Sequence, residues 1–284
     1  MSAWLQPEPA AWWHTVEDAI QEDLGSGDLT GGCLDVDLES EWYIEAQAEG
    51  VLCGVGIAEH LLAPMPSDPE SHTIEVHRSD GDRVRRGDRI IEGTLNTRRL
   101  LASERTALNF IMMLSGTATL TSLFVQRVEG TRARIVDTRK TLPMLRGLQK
   151  YAVRCGGGGN HRMGLFDAVM IKDNHIAACG GIRKAVERVR SYLSHMHKIE
   201  VECTSLEQVD EAVRAGVDVV LLDNMDPFMM REAVKRHEGA VLFEASGGVS
   251  LETVRGVAQT GVDLISVGAL THSAVAIPFH LEVR

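Results

Sequence analysis

The sequence has little of what marks secreted or membrane-bound proteins. Its five cysteines are odd in number and form no Cys-x-x-Cys pair, which argues against a disulfide framework and against a zinc site. No uninterrupted apolar run reaches the roughly 18 residues that a membrane-spanning helix needs. The N-terminal residues lack the basic and then apolar pattern of a signal peptide. We therefore expect a cytoplasmic protein with reduced cysteines and no membrane partner.

Excess positive charge is also absent. The 284-residue chain has a formal net charge of -11, which opposes non-specific binding to nucleic acid or to anionic membranes because both need a basic face. Its hydrophobic content of 44% is typical of a soluble globular protein with a proper core. Cations that cluster in such an acidic chain therefore indicate a focused anion site.

The first part of the chain has the pattern of a small antiparallel unit. Between Trp42 and Thr97 the residues alternate, and Asp80-Gly81 and Gly87-Asp88 are turn signals. Apolar residues at helical spacing predict a helix near Ala10 to Glu22 and another near Arg98 to Val128. The two helices therefore flank the antiparallel unit along the chain.

From Arg134 onward, short apolar strands alternate with amphipathic helices. The predicted strands are ARIVD, DAVMIK, KIEVE, VDVVLLD, AVLFEAS and VDLISVG. This alternation implies parallel strands joined by right-handed crossovers. The groups that follow the strands are polar or small: Asp137 to Lys140, Lys172 to His175, Glu202 and Thr204, Asp223-Asn224, Ser246 to Gly248, and Gly268-Ala269. Because the carboxyl ends of barrel strands converge on one mouth, whereas an open sheet lines them along an edge, this pattern favours an α/β barrel.

Five cations lie at the first two strand ends or in the loop between them. They are Arg139, Lys140, His161, Arg162 and Lys172. Because a guanidinium group matches carboxylate and phosphate oxygens in pairs, this set suits a substrate with several anionic groups. Three further cations, at i, i+4 and i+8, have a different pattern: Arg146, Lys150 and Arg154. With Leu145, Leu148 and Ala152 on the opposite side, this spacing predicts a helix whose basic face meets solvent.

Acids and glycines at the later strand ends complete the candidate site. Glu202 and Asp223 close consecutive strands, and carboxylate oxygens suit Mg²⁺, which is commonly shared with substrate phosphates. A helix N-cap or a salt bridge to Lys172 is the structural alternative for these acids. EASGGVS and SVGALTHS place small residues where backbone N–H groups can approach a phosphate. These features together predict an enzyme that joins a phosphorylated, Mg²⁺-chelated sugar to an acid.

The stretch DTRKTLPMLRGLQKYAVRCGGGGNHRMGLFDAVMIKDNHI resembles the signature of the quinolinate phosphoribosyltransferase family of type II phosphoribosyltransferases. The similarity continues in order through EDLGSGDLT, ASERTALNF, IEVEC, LLDN, EASGGVS and VGALTHS, and so spans nearly the whole chain. The resemblance implies an N-terminal α/β sandwich domain at residues 1–115 and a C-terminal, irregular, TIM-like parallel α/β barrel at 116–284. The last ten or so residues would return to the first domain. Met144 departs from the family pattern, which has glycine there.

The resemblance also implies an activity. Enzymes of this family convert quinolinate and 5-phosphoribosyl 1-pyrophosphate to nicotinate mononucleotide, pyrophosphate and CO₂ in NAD biosynthesis, with Mg²⁺ as cofactor. They work as homodimers, or as hexamers built from dimers, with shared active sites. Two other interpretations stay open: a relative associated with molybdenum transport, and a non-catalytic regulator that binds a phosphosugar or a dicarboxylate.

By motif match, the resemblance assigns roles to individual residues. The substrate-binding set is Arg105, supplied to the neighbouring subunit's site, with Thr138, Arg139, His161, Arg162, Lys172, Ser246, Gly247, Gly248, Gly268, Ala269 and His272. The catalytic set is Lys140, Glu202 and Asp223, of which the two acids also hold Mg²⁺, partly through water.

Overall fold

The first half of the chain builds an antiparallel sheet with a long helix after it. The computed structural model describes residues 12–284. The elements of this half are α1 (Trp13–Leu24), β1 (Glu39–Ala46), β2 (Gly50–Val51), α2 (Val55–Leu62), β3 (Thr73–Val76), β4 (Arg83–Val84), β5 (Arg89–Asn96) and α3 (Thr97–Arg127). Both predicted helices are present, although the first two residues of the range Ala10 to Glu22 lie outside the described residues. The helix α2 was not predicted.

The second half alternates strands and helices as the sequence predicts. Its elements are β6 (Arg134–Val136), α4 (Arg146–Cys155), β7 (Val169–Ile171), α5 (Asp173–Cys179), α6 (Ile182–Arg190), β8 (Ile199–Cys203), α7 (Leu206–Arg214), β9 (Val219–Asp223), α8 (Pro227–Arg236), β10 (Leu242–Ser246), α9 (Val254–Ala258), β11 (Leu264–Ser266), α10 (Ala269–His272) and β12 (Phe279–Val283). Each of the six predicted apolar runs coincides with one strand of β6 to β11, and only β8 extends beyond its run, by one residue to Cys203. The sequence-based prediction of these strands is confirmed.

The elements form two compact units. Among the described residues, one unit contains residues 12–122 together with Leu142–Gly157 and Thr271–Arg284, and the other contains Leu123–Thr141 and Gly158–Leu270. The last strand, β12, pairs antiparallel with β1 in the first unit. The division of the chain after residue 115 stays a prediction.

The sheet of the first unit is antiparallel, with strands in the order β12-β1-β5-β3. Side chains of β1 alternate between the core and the outer face, since Trp42, Ile44 and Ala46 are buried. This alternation is the period of two that the sequence shows. Gly81 and Gly87 have φ of 88° and 87°, so both predicted turn signals coincide with left-handed backbone that favours glycine.

The helix α3 is long and apolar enough to cross a membrane by length and composition, with a mean hydropathy of 1.5 over its most apolar window. However, 61% of that window is buried inside the protein. Leu100, Leu108 and Ile111 belong to the core of the first unit together with Ile44 and Ile91 of the sheet. The helix is therefore a buried core helix.

The second unit is built on six parallel strands in the order β6-β11-β10-β9-β8-β7. Every neighbouring pair in this order is parallel. An isolated parallel bridge also joins Val136, on the edge strand β6, to Gly159. All six strands, or the residues directly after them, line one cavity, and this convergence is the arrangement expected of a barrel.

The basic face of α4 is not solvent-exposed, so this prediction was wrong. Lys150 is only 1% exposed, and Arg146 and Arg154 are half-buried. The apolar side was correctly predicted, because Leu148 and Ala152 lie in a core cluster of the first unit. Spacing at i, i+4 and i+8 shows that residues share a helix face, but it does not show what covers that face.

Candidate active site

The carboxyl ends of the six parallel strands surround a cavity of about 350 Å³. The predicted site residues that line it are Thr138, Arg139, Lys140, His161, Arg162, Lys172, Glu202, Asp223 and Ser246. Four further residues line it without having been predicted: Met170, Leu221, Glu244 and Ser266. The cavity therefore combines cations, carboxylates and a small apolar surface.

The cations of the cavity repel one another. Burial lowers the pKa of the Arg162 guanidinium, and the positive charge of Arg139 lowers it further, while Glu200 and Asp167 oppose the change. Arg162 also donates from Nη1 to the carbonyl oxygen of Ala168 at 3.3 Å. An anion that binds both guanidinium groups relieves the repulsion between them. The site is therefore suited to a ligand with carboxylate groups.

Lys172 and Glu202 form an ion pair across the cavity wall, at the ends of neighbouring strands β7 and β8. The salt bridge that the sequence allowed as a structural alternative is therefore present. It does not remove either group from the cavity, because both line it. An anionic ligand that binds Lys172 has to compete with Glu202 for the same ammonium group, and Glu202 is then freed for another partner.

The two acids at the ends of β8 and β9 fit a magnesium ion that is shared with a ligand. Asp223 accepts one hydrogen bond, from the Asn224 side chain at 3.0 Å, and Glu202 is paired with Lys172. Their carboxylate oxygens are the hard ligands that Mg²⁺ prefers. Two carboxylates are too few to enclose the ion, so substrate oxygens and water would have to complete its coordination.

A buried aspartate organises the loop that carries His161 and Arg162. Asp137 is 0% exposed and directly follows β6. It accepts the backbone N–H of His161 at 2.9 Å and the side-chain amide of Asn160 at 2.7 Å. The sequence placed Asp137 only among the polar groups that follow the predicted strands, whereas the structure shows that it holds this loop.

Two buried glutamates beneath the cavity were missed by the sequence analysis. Glu200 on β8 is 6% exposed and Glu244 on β10 is 2% exposed. Each lies two residues before a predicted site residue, Glu202 or Ser246, and therefore points to the same face of its strand. A charged residue inside an otherwise apolar parallel strand, in phase with a site residue, is the signal that could have found them.

Glu244 binds its proton more tightly than an ordinary glutamate. Burial raises its pKa to about 7, and the negative charge of Glu200 adds to this effect, whereas His161 and a hydrogen bond from Ser266 oppose it. A folded-state pKa above the unfolded value means that the native protein binds more protons, so stability falls as the pH rises from about 4.5 to about 7. Ionised Glu244 therefore lowers the stability of the folded protein at alkaline pH.

The variant Glu244→Gln is expected to remove this pH dependence, because the amide mimics the protonated acid and carries no charge. Urea unfolding should show a similar free energy of unfolding for variant and parent at about pH 5, and a more stable variant at about pH 8. Equal stability of the two proteins at about pH 8 would contradict the raised pKa.

The loops after β10 and β11 have the small residues that were predicted to bind phosphate. Gly247 and Gly248 have φ of 102° and 59°, in the left-handed region, and Asn224 in the neighbouring loop also has a positive φ of 52°. A Cβ atom on Gly247 would overlap the Oδ1 atom of Asn224. Glycine at 247 is therefore required by both backbone conformation and space. Gly268 and Ala269 follow β11, and Ala269 begins α10.

Two predicted site residues belong to the first unit. Arg105 is on α3, and its side chain is 59% exposed with Glu104 as a neighbour at 3.5 Å. His272 ends α10, where its Nδ1 lies 2.6 Å from the hydroxyl of Ser273. The role of Arg105 at a neighbouring subunit's site and that of His272 near a phosphate stay predictions.

Comparison with known proteins identifies the family. Residues 28–115 match "Quinolinate phosphoribosyl transferase, N-terminal domain", and residues 117–282 match "Quinolinate phosphoribosyl transferase, C-terminal domain". The chain belongs to the quinolinate phosphoribosyltransferase family. Members of this family are phosphoribosyltransferase enzymes, and the resemblance stated from the sequence is confirmed.

Individual members of the quinolinate phosphoribosyltransferase family are similar over most of the chain. The "Probable nicotinate-nucleotide pyrophosphorylase [carboxylating]" of Bacillus subtilis is 42% identical over 262 residues, which cover 92% of this chain and 90% of that protein. The chloroplastic "Nicotinate-nucleotide pyrophosphorylase [carboxylating]" of Arabidopsis thaliana is 41% identical over 93% of this chain and 80% of that protein. The structure of the nicotinate-nucleotide pyrophosphorylase from Francisella tularensis matches with a TM-score of 0.92, 38% identity and 100% coverage of both chains.

The position at which this chain departs from the family signature has the backbone conformation of a glycine. Met144 has a φ of 64° and its side chain is exposed. Only a residue without a Cβ atom adopts this region at no steric cost. Met144 therefore has a backbone conformation that favours the glycine of the family signature.

Proposed function

We propose that this protein transfers the phosphoribosyl group of 5-phosphoribosyl 1-pyrophosphate to quinolinate and releases nicotinate mononucleotide, pyrophosphate and CO₂. One observation carries the proposal: the cavity at the strand ends brings together a cationic side, with Arg139 and Arg162, and an acidic side, with Glu202 and Asp223. The first side fits a dicarboxylate, and the second fits the ribose and metal of an activated phosphosugar.

Quinolinate is held on the cationic side of the cavity. Arg139, Arg162 and Lys172 bind its two carboxylates, and the dianion relieves the repulsion between the two guanidinium groups. Met170 and Leu221 line the same cavity and offer apolar surface to the pyridine ring. This arrangement directs the ring nitrogen toward the acidic side.

The phosphoribosyl donor is held on the acidic side. Glu202 and Asp223 bind the ribose hydroxyl groups, and Lys140, between the two sides, contacts the pyrophosphate. Mg²⁺ bound partly through water to Glu202 and Asp223 would neutralise charge on the pyrophosphate. The hydroxyl of Thr138 accepts the backbone N–H of Lys140 at 3.0 Å and so helps to fix the start of this loop.

The chemistry follows from positioned charges. As the bond between C1 of ribose and pyrophosphate breaks, positive charge builds on the ribose ring, and the carboxylates of Glu202 and Asp223 favour it. The quinolinate nitrogen then forms the new bond to C1, which leaves a pyridinium cation. Loss of CO₂ from the 2-carboxylate leaves an electron pair on the adjacent carbon that the pyridinium nitrogen stabilises, and a proton then replaces the CO₂.

The 5-phosphate is bound by the loops after β10 and β11, through Ser246, Gly247, Gly248, Gly268 and Ala269, with His272 nearby. These residues offer backbone N–H groups without side-chain obstruction. Such loops hold phosphate in many parallel barrels.

Replacing Gly247 by alanine is therefore expected to weaken the binding of the phosphoribosyl donor. The new Cβ atom displaces Asn224 and adds backbone strain of about 1–3 kcal/mol, so the KM for the donor should rise by roughly tenfold or more. The matched control is Gly256→Ala on α9, where a Cβ atom meets nothing within 4 Å. Steady-state kinetics that show equal donor KM for both variants would remove Gly247 from the phosphate site.

The assembly and location of the enzyme are also proposed. A homodimer, or a hexamer of such dimers, is supported by the exposed Arg105 on α3, which is free to reach a neighbouring subunit's site. A cytoplasmic location is proposed on the family resemblance.

The proposed reaction is tested by incubating the purified protein with quinolinate, phosphoribosyl pyrophosphate and Mg²⁺ and separating the products by chromatography. Nicotinate mononucleotide should form only when all three are present. Formation of a different nucleotide, or of none in spite of tight binding of both substrates, would favour a different substrate or a non-catalytic role.

A further inference from the structure

His161, Glu200 and Glu244 form a group beside the substrate cavity, which His161 and Glu244 line. The ligand atoms of the three side chains lie within 4.8 Å of one another, and one oxygen atom of each glutamate is buried without a hydrogen-bond partner. A second cavity of about 470 Å³, lined by earlier residues of the same strands, also reaches all three. These residue types are compatible with a metal site. The hydrogen bonds of His161 show whether its ring nitrogens are available to bind a metal ion.

The hydrogen bonds of His161 fix where its proton lies. Its Nδ1 atom accepts the backbone N–H of Arg162 at 2.7 Å, so Nδ1 carries no proton. Its Nε2 atom lies 3.0 Å from a carboxylate oxygen of Glu200 and 3.6 Å from one of Glu244, and a carboxylate oxygen accepts the proton of an N–H group. The ring is therefore neutral, with its proton on Nε2, and neither nitrogen is free to bind a metal ion or to donate to a substrate.

We propose that Glu200 is a positioning residue of the anion site, which holds His161 in the Nε2–H form so that its Nδ1 anchors the backbone of Arg162. His161 then acts on quinolinate through Arg162 and not as a cation that touches the substrate. This inference rests on the proposed function, because quinolinate is the ligand that Arg162 is expected to bind.

Two successive backbone N–H groups of the loop, those of His161 and Arg162, each donate to a side-chain acceptor. Asp137 accepts the N–H of His161, and His161 itself accepts the N–H of Arg162. The Arg162 guanidinium is held by the carbonyl of Ala168, and the negative charge of Glu200 favours its protonated form. Bidentate binding of a carboxylate depends on such placement, and a small displacement of the guanidinium loses it.

The kinetic test compares Glu200→Leu with Glu200→Gln. Leucine cannot accept the Nε2–H, so the KM for quinolinate should rise by roughly tenfold to a hundredfold, with little change in the KM for phosphoribosyl pyrophosphate. Glutamine keeps an acceptor and should restore the quinolinate KM to within about threefold of the parent. The matched control, Glu238→Gln, changes an exposed carboxylate after α8 and should have parental kinetics.

Several outcomes would overturn the proposal. An unchanged quinolinate KM in Glu200→Leu would do so, and so would equal rises in both KM values together with a lowered Tm, since that pattern indicates general damage to the fold. Failure of Glu200→Gln to restore the quinolinate KM would show that the charge, and not the hydrogen bond, matters.

The proton position is tested on the parent protein, so the result does not depend on how the variants fold. Nitrogen NMR of histidine-labelled protein, assigned with His161→Gln, should show a pyridine-type Nδ1 and a pyrrole-type Nε2, unchanged by quinolinate. An imidazolium signal, or a shift of Nε2 on quinolinate binding, would contradict the proposal. A parent protein without turnover would refute the proposed function alone, because the tautomer is measured independently of activity.

Discussion

Replacing Arg139 by alanine is expected to weaken quinolinate binding by roughly a hundredfold and to leave phosphoribosyl pyrophosphate binding within a few-fold of the parent value. The lost interaction is a bidentate, charge-assisted pair worth about 3 kcal/mol. The structure places Arg139 in the cavity beside Arg162, whose pKa it lowers. Calorimetric titration with each ligand separately measures the two affinities.

A loss of affinity for quinolinate alone would show that Arg139 binds a carboxylate. A general charge effect would weaken the binding of both anionic ligands. Arg183→Ala on α6 is the matched control, because that side chain is 75% exposed. It removes the same charge and should change neither affinity. An unchanged quinolinate affinity in Arg139→Ala, or an equal loss for both ligands, would show that Arg139 is not a specific carboxylate ligand.

Mixing two inactive variants is expected to restore activity. Arg105→Ala removes the residue that one subunit would supply to its neighbour, and Lys172→Ala removes a residue of the receiving site. A mixed dimer contains one site with both defects and one site with neither, so random exchange should recover about a quarter of parental activity. Activity is measured after the two proteins are unfolded, mixed and refolded together.

Subunit exchange has to be shown in the same experiment, for example with one variant carrying an affinity tag that pulls down the other. As a second control, Arg139→Ala is mixed with Lys172→Ala. Both residues line one cavity of one chain, so this mixture should recover no activity. Each mixed dimer of this pair has two damaged sites, so its activity is the background for the experiment. Recovery in this control equal to that of the first pair would contradict a shared site.

The parallel unit was predictable because its sequence pattern is local. Each strand from β6 to β11 is a short apolar run, and the groups that follow it are polar or small, so the strand ends identified the cavity and most of the residues that line it. The strand pattern alone identifies Lys140, Glu202 and Asp223 as residues of the cavity. Their individual roles came from the family resemblance and not from the strand pattern.

The burial of Lys150 and the role of Glu200 were not predicted, because both depend on contacts between residues that are distant in the sequence. Lys150 was predicted to meet solvent because its helical spacing matches a basic face, but burial depends on what packs there. Glu200 was overlooked because it lies inside a strand, where a charge has no local explanation. Its hydrogen bond to His161 joins residues 39 positions apart, and such a bond depends on the strand order.

The central claim is tested most directly with quinolinate that carries a label in its 2-carboxyl group. The enzyme should release one labelled CO₂ for each nicotinate mononucleotide formed, and only when phosphoribosyl pyrophosphate and Mg²⁺ are both present. Label retained in the nucleotide, or CO₂ released without the phosphoribosyl donor, would contradict the proposed reaction.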